Sequence, residues 1–227
     1  MKKLFIPILF VCLLPVTFSC NSSKLLTYAL NERDAATAIR ELLSLGATNN
    51  SLNGAFGKDV ILSGIFPQSV QRVLNTLNLL GLTGEVDRFT NTLSSAAEKT
   101  AAASVPVFVS GVNNMKFTDA ISIIKTGGSS ATDYLRASIG DSLRRAIRPQ
   151  MQTVLDEYKL NDQWNNLVKP IQSIFGTKVK PDLAGLMSVV VADAMFKKMA
   201  EKEIQVRTDA SARTTPLLQK VFSRSWN

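Results

Sequence analysis

Residues 117–148, FTDAISIIKTGGSSATDYLRASIGDSLRRAIR, hold a helix stop, a helix start and a long amphipathic run in immediate succession. Phe117, Ala120, Ile121, Ile123 and Ile124 recur at helical spacing, and Lys125 puts a positive charge on the last turn, where the helix dipole favours it. Gly127 and Gly128 end that helix, because glycine reaches the left-handed conformation that a helix C-terminus commonly needs. Ser130, three residues before Asp133, reads as the N-cap of the next helix with its capping-box carboxylate. Leu135, Ile139, Leu143, Ala146 and Ile147 then form one apolar stripe, with Arg136, Arg144, Arg145 and Arg148 mostly outside it. The stretch predicts a tight helical hairpin. Its Gly-Gly-Ser-Ser turn offers backbone N–H groups to an anion, but it does not match the longer phosphate-loop pattern, and an ordinary interhelical turn is the preferred reading.

Outward from the hairpin the same periodicity continues. Asn31 caps a helix with Ala35, Ala38, Ile39, Leu42 and Leu43 on one face, and Gly46 ends it. Residues 47–66 read as a long loop around Val60-Ile61-Leu62. Pro67 starts a helix that carries Val70, Val73, Leu74, Leu77 and Leu80 and stops at Gly81. A further helix runs from Gly84 to Ala103 and is broken or kinked at Pro106. Val105–Val112 is strand-like by composition, yet its helical flanks favour helix. After the hairpin, Pro149 begins or bends a helix through Tyr158, and Asn161 caps a short one to about Phe175. Asp182 caps a long helix through about Arg207 whose first half is apolar nearly all round, as a central core helix would be. Thr215-Pro216 starts a last one bearing Leu217, Leu218, Val221 and Phe222. The expectation is an all-α, single-domain multi-helix bundle with a central helical hairpin, preceded by a signal peptide.

Composition narrows the function. Histidine is absent, which removes the usual general base near neutral pH and every Ser-His or Cys-His arrangement. Cysteine occurs only at Cys12 and Cys20, so no internal disulfide or cysteine metal site is expected in the mature body. No metal or cofactor is called for. The net charge is +8, and without Lys2 and Lys3 it is 24 basic against 18 acidic residues. Those basic residues are scattered and no aromatics interleave with them, which argues against nucleic acid as a partner.

Residues 1–19 have a Lys2-Lys3 start and an apolar run interrupted by Pro7 and Pro15, too short for the roughly 20 residues a bilayer crossing requires. This is a secretory signal. The ending Thr17-Phe18-Ser19-Cys20 resembles a bacterial lipobox, although Thr17 and Phe18 depart from its usual residues. Cys20 is thus the expected lipidation site, with ordinary signal cleavage as the alternative. Residues 20–24 form a tether and 25–227 the helical domain. The membrane is the expected partner through that anchor, and the expected location is the cell envelope, facing the periplasm, with the outer membrane favoured over the inner.

These residues together resemble the bacterial exported family catalogued as domain of unknown function family 4197. The resemblance spans about Leu30 to Phe222. It rests on Gly54 and Pro67, Ala96-Ala97-Glu98, Met115 with Asp119-Ala120, Gly127-Gly128 with Ala131-Thr132 and Tyr134, Glu203 with Arg207, and Arg213-Thr214-Thr215 with Val221-Phe222. Departures are Ser130 in place of alanine, Asp209-Ala210 in place of Asn-Pro, and a first helix without Gly-Leu-Lys-Glu. It implies an all-helical envelope protein and brings no activity with it.

The leading expectation for function is a module that binds a protein partner or an apolar ligand. The alternatives are a carboxylate-based envelope hydrolase and a purely structural envelope protein. The enzyme reading would use Asp119, Asp133, Asp193 or Glu203 as acid and base, with Tyr134 or Arg207 as electrostatic support. Asp193 stands out as the only charge between Leu183 and Phe196. Docking of the C-terminal helix on the hairpin predicts one polar cluster of Asp119, Asp133, Tyr134, Glu203, Arg207 and Arg213. Taken alone, Glu203 and Arg207 would be a surface pair four residues apart.

Overall fold

The computed structural model describes residues 29–48, 55–57, 60–61, 66–172, 181–224 and 226. The residues read as a signal peptide, Cys20, the residues read as a tether, and Gly54 lie outside them. Among the described residues there are eight α-helices: α1 (Glu32–Gly46), α2 (Gln68–Leu79), α3 (Thr83–Asn114), α4 (Ala120–Thr126), α5 (Ser130–Glu157), α6 (Leu160–Val168), α7 (Leu183–Thr208) and α8 (Pro216–Phe222). Two short 3₁₀ turns, Lys169–Ile171 and Ala210–Ala212, complete them. The protein is an all-α multi-helix fold. No described helix is long and apolar enough to cross a membrane.

Local chemistry sets many of the starts. Asn31, Asp182 and Thr215 each accept a hydrogen bond from the backbone N–H three residues on, which satisfies a donor the helix itself leaves free. Pro67 sits one position earlier than expected, as the cap of α2. Gly81, with φ 81°, turns the chain from α2 into α3.

Apolar residues from all eight helices form one continuous core. The long helices α5 and α7 share its largest interface and run antiparallel, since Arg148 pairs with Asp182 near one end and Glu203 reaches Ala131 and Thr132 at the other. Helix α3 packs antiparallel on α5, with Thr100 against Met151 and Ser104 against Gln150. Phe108 of α3 meets Phe196 of α7 edge-on at 5.3 Å between ring centres. The long apolar helix is thus the core element its composition indicates, with Met187, Val191, Met195, Phe196 and Met199 buried.

Several boundaries differ from the sequence reading. Pro106 and Pro149 do not end helices; α3 and α5 run through them. A proline removes one backbone donor, freeing the carbonyl four residues earlier. Here both prolines and the residues with the freed carbonyls, Ala102 and Arg145, are on the exposed side, where a carbonyl without a helix partner is not stranded in the core. Buried neighbours on the opposite face hold the helix together. Ala146 is exposed, so the stripe of α5 is carried instead by Leu135, Leu143, Ile147, Met151, Val154 and Leu155. Helix α6 starts at Leu160 rather than after Asn161, because Lys159 adopts the left-handed conformation at φ 52° and turns the chain there. Phe117 precedes α4 and is not part of it.

Candidate functional site

At the turn between α4 and α5, Gly127 and Gly128 have φ of 75° and 58°, the left-handed region where side chains with a Cβ are strained. The sharp reversal leaves the last carbonyls of α4 next to the first N–H groups of α5. Each set needs partners of opposite character. They come from α7.

Glu203 has no exposed surface, and its carboxylate accepts the N–H of Ala131 at 3.0 Å, the N–H of Thr132 at 2.8 Å and the Thr132 hydroxyl at 2.8 Å. Arg207, one turn later, donates to the same carboxylate through Nε at 3.1 Å and Nη2 at 2.8 Å. The guanidinium also donates to the carbonyl oxygens of Ile124 at 2.9 Å and Ile123 at 3.3 Å, and to the Ser130 hydroxyl at 3.1 Å. Its outer face lies 5.1 Å from the centre of the Phe222 ring. The acid neutralises the start of one helix and the base the end of the other. The pair is a buried clamp on the glycine turn, not the surface pair that its spacing alone suggests.

The clamp corrects the assignment of Ser130 as an N-cap. Helix α5 begins at Ser130, the cap position is Ser129, and neither side chain bonds the helix N–H groups. Glu203 takes that role from a distance of 71 or 72 residues. Ser130 instead donates its hydroxyl to the Ile123 carbonyl at 2.6 Å, and the Ser129 hydroxyl donates to Asp133 at 2.9 Å.

The remaining members of the expected cluster are elsewhere. Arg213 donates to the carbonyls of Val206 at 2.9 Å and Arg207 at 3.0 Å, closing the C-terminal end of α7. No hydrogen bond or ion pair joins it to Asp119 or Asp133, so the single cluster divides. Asp119 caps α4 through the Ser122 N–H at 3.0 Å, while Glu32 accepts the Ala120 N–H at 2.9 Å. Tyr134 donates to the Lys116 carbonyl at 3.2 Å and stacks on Phe117, whose ring also lies under Arg40. Asp193 is half exposed and bonds Arg144 at 2.9 Å, a bond that raises the Arg144 pKa further. It is an ion pair at the helix edge rather than a buried acid.

Chemically, these groups are engaged in holding backbone. Every oxygen of Glu203 is used, water is excluded, and Arg207 spends its donors on carbonyls, a carboxylate and a hydroxyl of the protein itself. Sequence reasoning overlooked that Glu203 falls on one face with Phe196, Met199 and Val206, a spacing that places the acid inside the apolar stripe. Among the described residues no three His, Cys, Asp or Glu side chains converge in a way that could hold a metal ion.

Open clefts among the described residues lie outside the clamp. One, of about 240 Å³, is bordered by Glu85, Arg88, Phe89, Gln163, Asn166 and Leu167. Another, of about 520 Å³, lies between the end of α1, the outer face of α7 and Thr214. No curated protein and no solved structure matches the chain. A family model does match, over residues 29–223, and on that match the chain belongs to the family described as "Protein of unknown function (DUF4197)".

Proposed function

We propose that the protein is a lipid-anchored helical module of the bacterial envelope, facing the periplasm from the outer membrane, that binds a protein partner through its surface. The observation that carries this reading is the turn between α2 and α3. Leu79 is 88% exposed and Leu80 55%, side by side, with the half-buried Leu82 two residues on. Leaving Leu79 in water forgoes most of the roughly 1.5–3 kcal/mol that full burial of a leucine supplies, and Leu80 about half of it; contiguous exposed apolar groups mark contact sites.

The position of the turn supports a protein rather than the anchor's own bilayer. Helix α3 has 32 residues and so is about 48 Å long, and the leucines stand at its beginning. At its far end the Met115 carbonyl accepts a hydrogen bond from Arg40, and α1 begins nearby with Glu32 bonded to Ala120. The chain from Cys20 to Ala29 reaches at most about 32 Å. An anchor at Cys20 therefore holds the opposite end of the bundle. The apolar-ligand reading has less support, because Phe56, Phe108 and Phe196 are fully buried in the core and both clefts described above are open and bordered by charged side chains such as Arg88 and Lys202. The hydrolase reading has less again, since Glu203 and Arg207 are consumed by the clamp.

Two variants of the full chain test the proposal. Cys20→Ala should move the protein from the membrane pellet to the soluble fraction; retention in the pellet after a high-salt wash would rule out the anchor. The double change Leu79→Ser/Leu80→Ser should abolish photo-crosslinks made from position 83 to envelope proteins without lowering the melting temperature. Unchanged crosslinks would rule out the turn as the contact.

A further inference from the structure

Helix α1 ends unusually close to α7. A Cβ at Gly46 would lie only 2.9 Å from the Met199 Cα, so the absence of a side chain there lets the two backbones approach. That approach brings Leu45 and Thr48 against the outer face of α7 and forms one wall of the 520 Å³ cleft. The α7 wall is made of Lys198, Glu201, Lys202 and Gln205, and Thr214 closes the side.

Charge and hydrogen-bonding capacity in this cleft are unequal. Lys198 is paired with Glu201 at 2.8 Å, which balances one ammonium. Lys202 bonds the neutral amide oxygen of Gln205 at 2.9 Å, and the carboxylate of Asp209 feels it only through space. Among the described residues of the lining, the Lys202 ammonium therefore has no carboxylate bonded to it. In the segment Arg213-Thr214-Thr215, Arg213 closes α7 and Thr215 caps α8 and donates to Glu41. Thr214 between them is exposed and borders the cleft.

We infer that this cleft binds a small polar ligand carrying one oxyanion, the size of a sugar phosphate or of a dipeptide with a free carboxylate. The Lys202 ammonium receives the oxyanion, because a charge-assisted hydrogen bond to an anion is stronger than its present bond to an amide. Thr214 and the Gln205 amide are placed for the ligand's hydroxyl or amide groups, and Leu45 offers an apolar edge. The volume lies in the range of small-molecule sites and far exceeds that of a bare anion. Because this cleft is separate from the Leu79-Leu80 turn, its test does not depend on a protein partner.

The experiment is calorimetric titration of the purified full chain with two matched pairs: glucose 6-phosphate against glucose, and N-acetyl-dialanine against its C-terminal amide. Saturable binding is expected for the charged member of one pair and not for its neutral counterpart, and which pair responds tells phosphate from carboxylate. Lys202→Gln and Thr214→Val should each weaken that binding about tenfold or more, the loss expected when a ligand hydrogen bond is removed. Both side chains are at the surface, and an unchanged melting temperature shows that the variants remain folded; should one of them melt early, the other carries the test. The inference is overturned if neither charged probe binds saturably, if charged and neutral members bind alike, or if folded variants bind like the parent.

Discussion

Glu203 lies 71 residues from Thr132 in sequence, yet its carboxylate takes both the backbone N–H and the hydroxyl of that threonine at 2.8 Å. One buried acid thus starts a helix on another part of the chain, and its ion pair with Arg207 ends the helix before it. The consequence is energetic coupling between α4, α5 and α7. Removing one partner of such a pair strands a buried charge, and Glu203→Ala or Arg207→Ala should each cost about 3–5 kcal/mol in urea unfolding. Replacing both by methionine should cost clearly less than the sum of the single losses, because no unpaired charge remains. Additive losses would show that the two side chains do not act together.

The glycine turn gives an order of effects that separates the clamp from ordinary capping. Gly128→Ala forces a Cβ into the left-handed region and should cost about 1–2 kcal/mol. Ser130→Ala loses the hydrogen bond to Ile123 and should cost about 0.5–1.5 kcal/mol. Ser129→Ala, at the cap position itself, should stay within about 0.5 kcal/mol, because the bond it loses is that of the hydroxyl to the exposed Asp133. A loss for Ser129→Ala as large as for a working N-cap would mean that Glu203 does not perform the capping.

Much of the fold was legible because its signals are local. Asn31, Asp182 and Thr215 each act on a backbone group three residues away, a distance that sequence displays directly. Helix α7 was readable from a first half that is apolar nearly all round, with Asp193 its one charge. What failed depended on distant parts of the chain. Pro106 and Pro149 act as breakers only if the freed carbonyl is buried, and which face of α3 and α5 meets water is decided by the packing of α5 and α7. Lys159 carries no sequence sign of a left-handed turn. Glu203 and Arg207 were correctly paired by their spacing, but the spacing does not reveal that two other helix ends converge on them. Arg213 was expected at Asp119 and Asp133 because α8 docks near the hairpin. The 3₁₀ turn at Ala210–Ala212 instead directs the arginine back onto its own helix.

The tail offers a comparison between a cap at each of its ends. Arg213→Ala removes two charge-assisted bonds to the last carbonyls of α7 and should cost about 1.5–3 kcal/mol. Thr215→Ala removes the α8 cap and a hydroxyl bond to Glu41, for about 0.5–2 kcal/mol. In hydrogen exchange, Thr215→Ala should expose α8 selectively, whereas Arg213→Ala should also raise exchange in the last turn of α7. Identical exchange patterns for the two variants would contradict this division of roles.

The link between α7 and the tail should be sensitive to acid through Asp209. Its carboxylate accepts the Ser211 hydroxyl and the Ser211 N–H, both at 2.8 Å. The hydroxyl bond chiefly, then the backbone bond, holds the Asp209 pKa below its ordinary value of 3.8, with Arg213 and Lys202 adding smaller contributions. A carboxyl whose pKa is lower in the folded chain than in the unfolded one stabilises the fold while it is ionised in both. That contribution is complete above the unfolded value and is lost as the pH falls through the folded one. Asp209→Asn keeps the acceptor oxygen and removes the titration. The parent protein should therefore be more stable than Asp209→Asn above about pH 5, with the difference shrinking as the pH drops below 3.8. Because Asp209 is at the surface, the effect should be small, and salt should reduce only its electrostatic part. Paired urea melts across this range, with exchange of the α8 amides as the local reporter, measure it directly. A stability difference that does not change with pH would show that the Ser211 bonds do not favour the ionised acid.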